Sequence, residues 1–360
     1  MSVRFGLAVF AALVLAGCDR PSSSPDSKPA ETVAPLAIKP AAPSPTLKAI
    51  RARGELRCGV NPELPGFAFQ DNGGRWRGFN VAFCRAVAAA VLGKPDKVRF
   101  VPLGNEERIA ALRAGKVDVL WRNTSWTFSR DAGDQLDMAA ISYFDGQGFL
   151  VRRSLNLTSA VELNTAKICV QSNATSAQNL EDFFRARGIA YTAMVFDRED
   201  QARAAYQADQ CDAFTADISA LAAARSVMDD PGAHVILPDA ISKEPLGPLV
   251  RQDDPAWTDI VRWTLYALIL AEEHGITRAN AKDMKTGADP EARRLLGEGG
   301  YGAMLSLDAD WAYRAITADG NYGEIFDREI GGGSALKLDR GLNALWNAPK
   351  PGLLYAPPMR

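Results

Sequence analysis

The chain has 360 residues, which is enough for two or three domains with a sizeable core. Hydrophobic residues make up 47% and charged residues 23%, as in ordinary soluble globular proteins, and a formal net charge of −2 without a basic stripe argues against nucleic acid as a partner. With only two histidines and no cofactor motif, we expect no histidine-based metal site, no catalytic triad and no cofactor.

The first eighteen residues are typical of an export signal. Arg4 precedes a short apolar run at 5–16, which is too short to span a membrane comfortably. Residues 15–18 read Leu-Ala-Gly-Cys and look like a bacterial lipobox, in which Cys18 receives the lipid and becomes the mature N-terminus. An ordinary secretory signal with an incidental cysteine is the alternative. We therefore predict a periplasmic protein that membrane lipid on Cys18 anchors to a membrane.

Residues 19–45 form the next segment, and proline, serine and alanine dominate it. Such a composition has too few apolar side chains to bury a core, so it predicts an extended, disordered tether. We expect the folded part to begin near Thr46, where a short helix precedes the first strand.

Four cysteines follow Cys18: Cys58, Cys84, Cys169 and Cys211. An even number in an exported chain favours two disulfides, for which three pairings are possible. If the two halves of the chain are separate lobes, only the pairing 58–84 with 169–211 leaves the lobes free to move. Four buried free thiols are the alternative.

Strands and helices alternate along the rest of the chain, because short apolar runs predict strands and amphipathic runs predict helices. The first set has strands at 55–60, 97–103 and 117–122 and helices at 78–93 and 106–115. The second set has strands at 167–172, 191–196 and 211–216 and helices at 176–187, 199–208 and from 218, before a long helix at 257–275.

Two extended runs with glycines, at 144–153 and 246–252, connect the two sets. This order predicts an α/β fold of two αβα lobes joined by a two-stranded hinge. We expect lobe one to contain 46–148 and 247–360, the latter with a C-terminal extension, and lobe two to contain 149–246.

A candidate half-site follows the strand at 117–122. Asn123, Ser125 and neighbouring hydroxyls lead to Arg130. A planar guanidinium beside hydroxyls and backbone N–H groups is a receptor for a carboxylate. A surface loop with one solvated arginine is the alternative.

A second half-site follows the strand that starts at Lys167. Thr175 lies where this strand runs into a helix, whose N-terminus favours anions, although a plain N-cap is an equal alternative. Asp217 ends another strand of the same set, where its carboxylate is available to a ligand ammonium. Together the two half-sites match an α-amino acid.

Four motifs in order resemble one known family: GFNVAFCRAVAAAVLG, VDVLWRNTSWTFSR, KICVQSNATS and CDAFTAD. The chain is similar to periplasmic solute-binding proteins of polar amino-acid ABC transporters, and most specifically to the general L-amino-acid-binding proteins. The resemblance implies a type II periplasmic-binding-protein fold, with Arg130 binding the ligand carboxylate and Asp217 the amine. It also implies ABC permease subunits in the inner membrane as partners.

Two departures from the family bear on the range of ligands. Leu64 and Asn105 stand where members often carry aromatic side chains, so with Arg108 nearby the pocket would not demand a flat cationic side chain. The resemblance thus implies a broad range of L-amino acids. The predicted ligand-binding residues are Arg130, Asn123, Ser125, Thr175, Asp217, Leu64 and Asn105.

The implied mechanism is capture by rotation of the lobes about 147–152 and 246–251, followed by delivery to the permease, and it includes no catalysis. Two alternatives share the fold: an amino-acid-sensing lipoprotein, and an exported cyclic-amino-acid dehydratase. The dehydratase needs an additional general acid, for which Glu106, Glu107 and Asp145 are the candidates. The segment from about Asp283 onward suggests no function, and we expect it to pack on lobe one and the hinge.

Overall fold

The computed structural model describes residues 38–42 and 44–360, and residues 38–360 form one compact unit. The predicted signal peptide, the predicted anchor Cys18 and most of the predicted tether lie outside the described residues. Within the described ranges, every helix is too short or too polar to cross a membrane. Residues before the predicted boundary at 45 already contact the folded part of the chain. The carbonyl of Ala41 accepts a hydrogen bond from Ser306, and Ser44 caps the first helix.

Thirteen strands and eleven α-helices make up the described part of the chain. The strands are β1 (Leu56–Val60), β2 (Phe69–Gln70), β3 (Trp76–Arg77), β4 (Val98–Pro102), β5 (Val119–Ser125), β6 (Leu136–Met138), β7 (Tyr143–Asp145), β8 (Gln147–Arg152), β9 (Lys167–Gln171), β10 (Thr192–Phe196), β11 (Ala213–Asp217), β12 (His234–Ile236) and β13 (Glu244–Arg251). The helices are α1 (Pro45–Arg53), α2 (Phe79–Leu92), α3 (Arg108–Arg113), α4 (Thr175–Arg187), α5 (Glu199–Gln207), α6 (Ile218–Ser226), α7 (Pro255–Glu273), α8 (Ala281–Met284), α9 (Pro290–Leu295), α10 (Trp311–Asp319) and α11 (Tyr322–Glu329).

The first sheet has the order β4-β1-β5-β13-β6, with β7 also paired to β13. β1 runs parallel to β4 and β5, so its apolar residues are covered on both faces, as parallel strands require. Helices α2 and α7 pack on this sheet, and α10 packs on both helices. Phe83 of α2 stacks on Trp121 of β5 with ring centroids 5.1 Å apart.

The second sheet has the order β10-β9-β11-β8-β12, and two apolar clusters lie on its faces. Phe149, Ile168 and Phe184 belong to one cluster, whereas Leu150 and Phe214 belong to the other. Because neighbours 149 and 150 point to opposite faces of β8, one strand contributes to both clusters. Two helix-covered sheets confirm the predicted α/β fold.

The chain passes between the sheets at two points that differ from the predicted hinge. β7 belongs to the first sheet and β8 to the second, so the outward crossing is at Gly146; the return crossing ends at Glu244. The predicted hinge runs 147–152 and 246–251 are instead paired strands inside the sheets. An extended run satisfies its backbone groups best by pairing, which leaves only short links between the sheets.

Two disulfides are present, and each of them lies within one of the two αβ units. Cys58 of β1 bonds to Cys84 of α2, and Cys169 of β9 bonds to Cys211 just before β11. The predicted pairing is therefore confirmed, and the alternative of four free thiols is wrong.

The C-terminal segment lies against the first sheet and the outward crossing. Helix α10 packs on α2, and the phenol of Tyr322 donates to the carbonyl of Ser142 at 2.8 Å. The side chain of Asn343 bonds both the N–H and the carbonyl of Phe144, at 2.7 and 3.0 Å. These contacts fix the strand that leads into the crossing.

Candidate functional site

Polar and charged side chains converge where the strands of the two sheets end. A small inner cavity of about 30 Å³ opens there, next to a larger outer cavity of about 370 Å³. The inner cavity is lined by Asn105, Arg108, Asn123, Ser125, Arg130, Gln171, Ala174, Thr175, Glu199, Ala216, Asp217 and Ala220. Ligands of open α/β sheets bind at this kind of edge, because strand ends present backbone groups and loops there.

Arg130 lies on the first-sheet side of the inner cavity. It follows β5 in a short π-helical turn at Ser129–Gly133, and its guanidinium donates to the carbonyl of Ser125 at 2.7 Å. Burial lowers the pKa of Arg130, while the nearby carboxylates of Glu244 and Asp217 raise it. In the described part of the chain Arg130 forms no salt bridge, so its remaining donors are available to an anion.

Asp217 lies on the opposite wall, at the end of β11, and is only 7% exposed. Burial raises the pKa of this carboxyl well above its ordinary value, and Asp145 and Glu244 raise it further. Its side chain has no hydrogen-bond partner among residues 38–42 and 44–360. A ligand ammonium would supply the positive charge that this buried acid lacks.

Glu244 is a central residue of the site that the sequence analysis missed. This acid is 2% exposed, and its carboxylate accepts from Ser125, from Thr175 at 3.0 Å and from Asn179 at 2.8 Å. The hydroxyls of Ser125 and Thr175 therefore donate to an internal carboxylate. Each hydroxyl has one proton, so neither donates to a ligand carboxylate while these bonds persist. An acid at the start of an otherwise apolar strand was the available signal.

The other predicted ligand-binding residues are divided between the site and the core. Asn105 and Asn123 line the inner cavity, and the amide of Asn123 accepts from Asn61 at 3.0 Å. The prediction for Leu64 is wrong, because this side chain is 1% exposed in the core of the first sheet and lines neither cavity. A tight turn that bridges Leu64 to Ala68 directs the apolar side chain inward.

Two further arginines lie on the first-sheet wall, each 3% exposed. Arg108 donates to the carbonyl of Asn173 at 3.3 Å, which joins the two walls. Arg122 donates to the carbonyl of Leu103 at 3.1 Å. Across the mouth of the outer cavity, Arg198 forms an ion pair with Glu63. These contacts hold the walls close together.

The candidate acids for catalysis lie apart from the inner cavity. Burial raises the pKa of Asp145 to about 6, but its carboxylate accepts from the N–H groups of Gly146 and Ser219 and does not line either cavity. Glu106 and Glu107 line only the outer cavity. Over the described ranges no cluster of three His, Cys, Asp or Glu side chains is suited to a metal ion. The guanidinium of Arg130 and the carboxyl of Asp217, which line the same inner cavity, are suited to a zwitterion.

A cleft between two αβ units, with a guanidinium on one wall and an acid on the other, is typical of solute-binding proteins. The chain belongs to the bacterial extracellular solute-binding proteins, family 3, whose pattern matches residues 56–275. The fold is accordingly the type II periplasmic-binding-protein fold, and the predicted family is confirmed.

Among the similar proteins is the general L-amino acid-binding periplasmic protein AapJ of Rhizobium johnstonii, 50% identical over 89% of this chain and 94% of its own. The glutamate/glutamine/aspartate/asparagine-binding protein BztA of Rhodobacter capsulatus is 51% identical over 89% of this chain and 95% of its own. A solved structure of an ABC-transporter periplasmic binding protein from Brucella ovis with glutathione bound is 50% identical, with a TM-score of 0.86 over 89% of this chain and 100% of its own. These relatives are binding proteins.

Proposed function

We propose that this protein is the substrate-binding component of an ABC importer, which captures L-amino acids in the periplasm and delivers them to the membrane permease. One observation carries the proposal: Arg130 and Asp217 line the same inner cavity from opposite walls, and neither is neutralised by a salt bridge within the described residues. An α-carboxylate and an α-ammonium are the groups that this pair would bind.

Capture would occur by closure of the two walls over the ligand. The crossings at Gly146 and before Glu244 lie side by side, since the N–H of Ile241 donates to the carbonyl of Gln147 at 2.9 Å. Two adjacent links of this kind suit a hinge. Closure requires a ligand with higher affinity for the closed state, and a zwitterion that contacts both walls has that property.

Lipid attachment at Cys18 is part of the same proposal. The lipobox-like sequence at 15–18 supports it, and the periplasmic relatives fit the predicted export. A lipid and a tether would keep the folded part near the permease. We propose no catalytic activity, because the similar proteins are binding proteins and the three acids predicted for catalysis, Glu106, Glu107 and Asp145, do not line the inner cavity.

Glutathione is a second candidate ligand. The relative from Brucella ovis has it bound, and its glutamyl end carries an α-amino group and an α-carboxylate. Asp217 and Arg130 would hold that end, and the outer cavity of about 370 Å³ would receive the rest. Glutathione therefore belongs in any binding test.

Arg130→Ala tests the proposal. We expect calorimetry of residues 38–360, stripped of carried-over ligand, to detect binding of many L-amino acids to the wild-type protein. The variant should lose at least about tenfold in affinity, because a charge-assisted bond to the carboxylate disappears. Arg113→Ala, at an exposed side chain at the end of α3, is the matched control and should bind like the wild type. Unchanged affinity in Arg130→Ala would disprove the carboxylate assignment.

A further inference from the structure

We propose that Arg108 and Arg122 form a second anion subsite in the cleft, which binds a carboxylate or carbonyl oxygen at the end of the ligand side chain. The inference rests on the proposed function, because it assumes that an α-amino acid places its backbone groups between Arg130 and Asp217. It names the ligand class: amino acids with acidic or amide side chains, including those extended by a further group. Amino acids with cationic side chains are excluded.

The first support is the unusual burial of these two side chains. Both are 3% exposed, and arginine is almost never fully buried without an anionic partner. Neither side chain has a carboxylate within salt-bridge distance among the described residues. Their hydrogen bonds go to neutral oxygens, namely the carbonyls of Asn173 and Leu103 and the amide of Asn123.

The second support is that each guanidinium retains a buried donor without a partner. The Nε atoms of Arg108 and Arg122 are both buried and make no hydrogen bond to the described part of the chain. A buried donor left unpaired costs free energy, so each position favours a group that supplies an acceptor. A ligand oxygen between the two walls would supply it.

The third support is the balance of charge around the cleft. Arg108, Arg122 and Arg130 face Asp217 and Glu199, and burial raises the pKa of Glu199 to about 7. Burial lowers the pKa of Arg122 only to about 10, so that guanidinium stays charged at neutral pH. Once the ligand backbone groups are bound to Arg130 and Asp217, Arg108 and Arg122 therefore leave a positive charge on the first-sheet wall.

The fourth support is the path that a side chain would take. Asn105, Gln171 and Glu199 line both cavities, so the inner and outer cavities share a boundary. Arg108 lines the inner cavity and Arg122 the outer one. A side chain that leaves the backbone groups thus passes Arg108 first and Arg122 next, and a longer one continues into the space of about 370 Å³.

The test begins with the wild-type protein and four ligands measured by calorimetry. L-norvaline has an apolar side chain, L-glutamate and L-glutamine end in oxygen acceptors, and L-lysine ends in a cation. We expect both acceptor ligands to bind about tenfold to a hundredfold more tightly than norvaline, and lysine to bind most weakly. Equal affinity for all four would overturn the subsite but leave the proposed function intact. No binding of any α-amino acid would overturn the proposed function itself.

Two variants then assign the effect to the named residues. Arg108→Met and Arg122→Met keep the apolar stem and remove the guanidinium, and each should reduce the preference for glutamate over norvaline about tenfold or more. Arg113→Met, at an exposed side chain at the end of α3, is the matched control and should keep the full preference. An unchanged preference in both folded variants would overturn the assignment. If thermal unfolding shows that a variant does not fold, the wild-type series decides the question.

Discussion

At the scale of single residues, the site combines acids and arginines whose charges are unfavourable in the ligand-free molecule. Asp217 has no hydrogen-bond partner in the described part of the chain, and burial together with Asp145 and Glu244 raises the pKa of its carboxyl. A buried carboxylate without a partner lowers the free energy of unfolding. A ligand of opposite charge would offset that cost when it binds. The tension between stability and function is typical of binding sites.

Asp217→Asn should therefore abolish amino-acid binding and raise the melting temperature of the ligand-free protein, by at least about 2 °C. The folded-state pKa of Asp217 is raised, so its contribution to stability is present below the unfolded value and lost as pH rises through the folded value. The gain from the variant should thus be largest at alkaline pH and vanish only as pH falls below the unfolded value of about 4. Scanning calorimetry at several pH values measures it. A variant that is less stable at every pH would show that the buried acid is structurally required.

The same carboxyl predicts how affinity depends on pH. Only ionised Asp217 attracts the ligand ammonium, so affinity should fall as pH decreases through the raised pKa of Asp217. Calorimetry of a single amino acid over the pH range in which the protein stays folded measures this, with Asp217→Asn as the control that lacks the titrating group. Constant affinity over that range would contradict the role of Asp217.

Glu244 is a single residue whose carboxylate is hydrogen-bonded to both walls of the cleft. Its carboxylate accepts from Ser125 of β5 and from Thr175 and Asn179 of α4. Glu244→Ala would leave those buried donors unpaired, and we expect the free energy of unfolding to fall by about 2–4 kcal/mol. Glu244→Gln retains one acceptor and should lose less. Urea denaturation distinguishes the two, and equal stability of wild type and Glu244→Ala would contradict the bonding described here.

Contacts at this scale also set the limit of what the sequence predicts. Arg130 and Asp217 each lie at or after a strand end, so local pattern could predict that both lie beside the cleft, and both line the inner cavity. The partners of Glu244 lie 119 and 69 residues away along the chain, at Ser125 and Thr175, and a local pattern carries no information about such contacts. Leu64 was misplaced for a related reason, since its inward direction depends on the bridge to Ala68.

At the scale of elements, periodicity was a better guide for helices than for the links between sheets. Helix α2 spans Phe79–Leu92 against a predicted 78–93, and α4 spans Thr175–Arg187 against a predicted 176–187. Gly93 and Gly188, both with left-handed backbone, define the C-terminal ends. An extended run has the same pattern whether it pairs within a sheet or crosses between sheets, so the hinge was placed a few residues too late at both crossings.

The disulfides belong to this scale because one joins strand β1 to helix α2 and the other joins strand β9 to a residue just before β11. Cys58 and Cys84 are 26 residues apart, and Cys169 and Cys211 are 42 apart. The loop-closure estimate gives about 3–4 kcal/mol of stabilisation for loops of these lengths. Replacing either pair by serine should lower the free energy of unfolding by about that amount in urea denaturation and leave ligand affinity nearly unchanged. Loss of ligand binding in a folded variant would show that the missing disulfide also maintains the geometry of the binding site.

At the scale of the whole molecule, the two walls already touch across the cleft. Glu63 pairs with Arg198, and Arg108 donates to Asn173, so the cavity between Arg130 and Asp217 is small. Exposed ion pairs contribute only about 0–1 kcal/mol, so contacts at the mouth cannot hold the walls closed by themselves. The buried bonds of Glu244 to Ser125 and Thr175 also join the walls, and in the proposed mechanism a ligand that contacts both walls would add to the free energy that favours the closed state.

A crystal structure of the protein with L-glutamate bound would test this account most directly. We expect the α-carboxylate on the guanidinium of Arg130 and the α-ammonium on the carboxylate of Asp217, with the walls closed over both. A ligand bound outside this cleft, or one whose backbone groups contact neither residue, would contradict the central claim.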